Sequence, residues 1–144
     1  MKDSLQISKL NFPTVENGGK KLIFTTFRKN DQQKLGMVTN HDEIIDLTYL
    51  GRDYPSFQDI LSFIRGGEEA FKVLNEICKT MPNEAIVKKS DVTILAPIPR
   101  PSRNIYCVGL NYIEHNKEFS QNSDLPEAPI IFSKVPTTVI GPEE

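Results

Sequence analysis

The chain has 144 residues, 38% of them hydrophobic and 25% charged, which suits one ordinary domain with a sizeable core and not a disordered chain. Seventeen basic residues against nineteen acidic ones leave a net charge of −2, so bulk charge excludes a polybasic nucleic-acid binder and an acidic tail. No apolar run nears the ~20 residues of a membrane helix, the opening MKDSLQISKL lacks a signal-peptide core, and two cysteines make neither a disulfide framework nor a CxxC pair. No nucleic-acid or membrane partner is expected, and a reducing cytoplasm is the expected location.

Residues 1–19 form a polar lead-in closed by Gly18-Gly19, a turn signal. Residues 20–28 (KKLIFTTFR), 34–39 (KLGMVT) and 43–48 (EIIDLT) are rich in β-branched and aromatic side chains and predict three short strands. Asn40-His41-Asp42 reads as the loop of a hairpin, so a small antiparallel sheet is expected. Pro55 stops the extended chain. Ser56, with Asp59 three residues on, is read as the cap of a helix whose apolar face carries Phe57, Ile60, Leu61 and Ile64. Gly66-Gly67 ends it. A second helix over about 68–81 carries Phe71, Leu74, Ile77, Cys78 and Met81 at three- and four-residue spacing, the stripe of a core-facing helix.

Seven of the ten prolines lie between Pro97 and Pro142, so the last third is built differently. Residues 91–95 (DVTIL) predict a strand that runs into a proline-stiffened connector over 96–101. Residues 105–110 (IYCVGL) predict a buried strand, 111–120 have helical composition, and 130–134 (IIFSK) predict another strand. Residues 137–140 are a further strand candidate. The expected division is a small α+β region over 1–90, an antiparallel sheet with two helices, and a second region over 91–144.

With two histidines, each can be weighed. His41 lies in the hairpin loop and reads as solvated surface. His115 follows a strand, Gly109 and Asn111-Tyr112, at the kind of strand exit where sites are often built. Glu118 is three residues on, so a helix would put both side chains on one face. A carboxylate accepting one ring N–H fixes the tautomer and raises the basicity of the other nitrogen, which suits a general base. The spacing alone fits an exposed helical ion pair equally well. Cys78 and Cys107 read as inert core thiols, Gly109 as a turn residue, and Lys134 as either a solvated amine or a contact for an anionic substrate. No glycine pattern of a phosphate loop is present.

The last fifty residues carry more than spacing. The APIPRP connector (Ala96 to Pro101), CVGLNY (Cys107 to Tyr112), the His115–Glu118 pair, LPEAPIIFSK (Leu125 to Lys134) and IGP (Ile140 to Pro142) follow one another in register. Together they resemble the opening of the fumarylacetoacetate hydrolase family core. The resemblance implies the start of a mixed β-sandwich roll after the small sheet. It also implies a homodimer and a Mg2+ or Mn2+ cofactor. The implied substrates are small 2-oxo acids or 1,3-dicarbonyls, in acylpyruvate-type hydrolysis, oxaloacetate decarboxylation or diene-dioate isomerisation through a metal-chelated enolate. His115 and Glu118 match the family's catalytic dyad, on a segment that resembles a lid over bound substrate. Asn111, Tyr112 and Lys134 match positions near the site and are expected to bind substrate.

The family's metal ligands, an E-x-E pair and a later aspartate, lie beyond the IGP segment. No metal ligand is therefore expected within this chain, which is read as the N-terminal part of such an enzyme. The alternative is a catalytically inactive fragment that serves as an interaction or pairing module.

Overall fold

A computed structural model describes residues 22–39, 42–109 and 128–142. They fall into two compact units, one of residues 22–99 with 140–142 and one of residues 100–109 with 128–139.

The first unit is built on strands β1 (Phe24–Lys29), β2 (Gln32–Val38) and β3 (Glu43–Asp46), joined by antiparallel pairing. Asn30 and Asp31 link β1 to β2 with positive φ angles of 49° and 59°, which match the twist of a two-residue hairpin. Two further strands complete a five-stranded sheet in the order β4-β3-β2-β1-β5: β4 (Ile86–Lys88) on β3 and β5 (Thr93–Ile94) on β1, both antiparallel. Residues 93–94, grouped by sequence with the last third, thus add an edge strand to the first sheet. The pairing is prolonged by a bond from the Leu95 N–H to the Thr26 carbonyl (2.9 Å). The buried Thr26 hydroxyl donates to the Pro97 carbonyl at 2.7 Å, which ties the proline connector to β1.

Alternation along the strands sends neighbouring side chains to opposite faces. On one face Leu35, Met37 and Ile45 pack with Leu47, Phe57, Phe63, Ala70 and Leu74. On the other, Phe27, Ile44 and Val87 form a second cluster with Val92 and Ile94. Gly36 belongs to that second face. A Cβ there would stand 2.5 Å from Ile44 Cγ2 and 2.9 Å from Phe27 Cε1, so the absent side chain is what lets the Phe27 ring lie across β2.

The third strand is shorter than its sequence suggests. Asp46 ends it and caps α1 (Leu47–Leu50), its Oδ1 accepting from the Tyr49 N–H at 2.8 Å. Its Oδ2 accepts from Lys34 Nζ at 2.7 Å, with both side chains mostly buried. A cap that also closes a charge pair outweighs the β propensity of Leu47 and Thr48. Asp46→Ala removes both bonds and leaves the Lys34 ammonium partly buried without its carboxylate. A loss of about 2 kcal/mol in urea unfolding is expected, and a loss below ~0.5 kcal/mol would show that the pair contributes little.

The helical stretch α2 (Ile60–Ile77) starts later than the serine signal implied. Pro55 initiates a 3-10 turn over Pro55–Phe57, and Asp59, not Ser56, is the cap, its Oδ1 accepting from the Ser62 N–H at 2.7 Å. The face turned to the core is not the one expected. Phe63 is buried, whereas Ile64, expected in the core, is 57% exposed. The interruption expected at Gly66-Gly67 is present as a kink: Gly67 has φ 52° and ψ −139° inside the stretch. Ala70 and Leu74 are buried beyond it, with Phe71, Ile77, Cys78 and Met81 against the same core.

In the second unit β6 (Ile105–Gly109) and β7 (Ile130–Lys134) pair antiparallel as a two-stranded ribbon. Both strands were expected, but not their surroundings. They pair with each other, and the strand expected to be buried is not. Tyr106 is 76% exposed, Val108 55% and Ile131 66%. Residues 136–138, which overlap the last strand candidate at 137–138, form a 3-10 turn with Pro136 at its start, a position where proline needs no N–H partner. The α+β class holds for the chain, its α-helices lying in the first unit among the described residues. Because Ile131 packs against so little, Ile131→Lys is expected to change unfolding by no more than ~0.5 kcal/mol. A larger loss would mean that this face is covered.

Candidate active site

Four of the five residues that the sequence nominates, Asn111, Tyr112, His115 and Glu118, lie outside the described residues, as does His41. What the structure describes is the frame on either side of them. The register pairs Gly109 with Ile130, so the strands flanking residues 110–129 end side by side, about 5 Å apart at Cα. The chain leaves and re-enters the ribbon at that one end.

Lys134, the fifth residue, is paired with Ile105 at the opposite end. Four residue steps along the strand separate it from Ile130, a span of about 14 Å. Its side chain is exposed and shares a ribbon face with Ile130 and Phe132, opposite Ile105, Cys107 and Gly109. The ribbon therefore presents Lys134 to solvent but does not by itself bring the amine to the end where residue 110 departs.

Gly109 lies within β6 and does not have a positive φ; Gly67 is the positive-φ glycine among the described residues. A Cβ on Gly109 would meet Ile130 Cγ2 at 3.6 Å and Phe132 Cε1 at 3.7 Å, ordinary contact distances. The tight-turn role expected of it is thus not what the backbone requires.

The cysteines are both free and half-buried. Burial pushes the Cys78 thiol up to about 11. The folded chain therefore holds this proton more tightly than the unfolded one. The associated stability is present below about pH 9 and is lost as pH rises towards 11. At pH 8 the thiolate fraction of Cys78 is about a hundredfold lower than that of an ordinary thiol, so iodoacetamide labelling is expected to slow by that order on folding. Equal labelling rates in the folded and urea-unfolded chain would contradict a buried thiol.

Among the described residues, other polar groups do not converge on one site. A surface depression of about 490 Å³ is lined by Asp42, Glu43, Lys88, Lys89 and Ser90. It mixes both signs of charge. The bond there from the Lys89 N–H to the Asp42 carbonyl (3.0 Å) is a backbone contact that closes the β3–β4 edge. Among the described residues no three His, Cys, Asp or Glu side chains could hold a metal ion. The described residues thus do not fit the divalent cation that the resemblance implies. No described residue adds a catalytic group to those named from sequence.

No protein-family model matches the chain. It is 29% identical over 128 residues to oxaloacetate tautomerase YisK of Bacillus subtilis, covering 82% of this chain and 42% of that protein. It is 36% identical over 110 residues to the human mitochondrial oxaloacetate tautomerase FAHD2A, covering 75% of this chain and 32% of that protein. A Pongo abelii fumarylacetoacetate hydrolase domain-containing protein 2 is 34% identical over the same length, with the same coverages. Among solved structures, a fumarylacetoacetate hydrolase from Exiguobacterium antarcticum superposes with a TM-score of 0.49 at 23% identity, over 83% of this chain and 38% of that one. The chain spans less than half the length of these relatives. Motifs and similarities agree, and the chain belongs to the fumarylacetoacetate hydrolase family.

Proposed function

We propose that this chain supplies the dyad-bearing part of an enzyme that interconverts the keto and enol forms of oxaloacetate. The observation that carries this reading is the 36% identity, over three quarters of the chain, to a protein named for that activity. Tautomerisation moves one proton between C3 and the oxygen on C2 and breaks no carbon–carbon bond. In this reading neutral His115 takes the C3 proton, the Glu118 carboxylate accepts the other ring N–H and stabilises the imidazolium that forms, and that imidazolium then gives its proton, directly or through a water, to the C2 oxygen of the enolate, which completes the enol and restores the base. The proton returns from His115 to C3 in the reverse direction. Asn111, Tyr112 and Lys134 bind the oxo-acid, Lys134 through a substrate carboxylate. Hydrolysis of an acylpyruvate or decarboxylation of oxaloacetate would draw on the same enolate. A Mg2+ or Mn2+ ion belongs to the same proposal, although no group of three ligands for it lies among the described residues. A homodimer and a cytoplasmic location belong to the same proposal. Among the described residues, no helix is long and apolar enough to cross a membrane.

A second reading, a non-catalytic pairing module, is favoured by the apolar side chains that the ribbon exposes on both faces. One experiment separates the two. Enol decay of oxaloacetate is followed by ultraviolet absorbance with the chain alone, and with the chain joined to the part of the Bacillus relative that it does not match. Acceleration over buffer by either protein supports the enzyme reading. A folded, joined protein that leaves the decay at the buffer rate overturns it.

A further inference from the structure

We draw no further inference here: the strongest candidate, the two-stranded ribbon of Ile105–Gly109 and Ile130–Lys134 with apolar side chains exposed on both faces, carries nothing because nothing among the described residues shows what covers it.

Discussion

His115→Ala is expected to lower oxaloacetate tautomerisation by the joined protein by about 10²–10⁴-fold, the usual contribution of a positioned general base. Alanine removes the only group in this reading that accepts the C3 proton, while the carboxylate contacts assigned to Lys134 remain. The loss should therefore appear in kcat, with little change in KM. Glu118→Gln keeps the shape of the side chain but removes the charge that stabilises the imidazolium. It should retain more activity than the alanine variant. Because glutamine no longer favours protonated His115, the basic form should persist to lower pH, and the acid limb of the pH–rate profile should move down. Lys134→Ala should raise KM and spare kcat. A folded His115→Ala protein that keeps its full rate would remove His115 from the chemistry, whatever the other variants do.

Phe63→Ala is expected to cost the first unit about 3–5 kcal/mol, a large share of the 5–15 kcal/mol that holds a typical domain folded. Phe63 is only 3% exposed. Its ring centroid lies 4.9 Å from that of Phe24, 5.1 Å from Phe71 and 5.4 Å from Phe57. It thus joins the strand β1, the 3-10 turn and both halves of the kinked helical stretch. Truncation leaves a void that none of these elements can fill alone, and it deletes three aromatic contacts at once. Phe63→Leu refills part of the volume and should recover part of the loss. Urea unfolding measures both, provided the m-value is unchanged. A Phe63→Ala loss below about 1 kcal/mol would mean that the site collapses freely.

Much of this architecture was legible in the residues. Three strands, two helical halves and the break at Gly66-Gly67 follow from periodicity and glycine chemistry. The misreadings share a cause. Whether residues 47–50 continue a strand depends on Asp46 capping and pairing with Lys34, a residue twelve positions earlier. The strand Ile86–Lys88 is three residues long, too short for any period to show, and exists because Ile44 and Ile45 offer it an edge. IYCVGL is as apolar as a buried strand, and a run of that length carries no information about what packs on it.

The site divides in the same way. Sequence by itself determined the family, through linked motifs whose residue types survive without any coordinates, and it named His115, Glu118, Asn111, Tyr112 and Lys134. Tertiary structure alone decided that residues 105–109 pair with 130–134, so that the chain between them leaves and returns at one end of a ribbon with Lys134 at the other. It also decided which face each strand residue covers in the first unit and which of Phe63 and Ile64 enters the core. The physical reason is the range of the information. Caps, turns and periodicity act over a few residues, whereas strand register and burial are fixed by partners brought together across long stretches of chain.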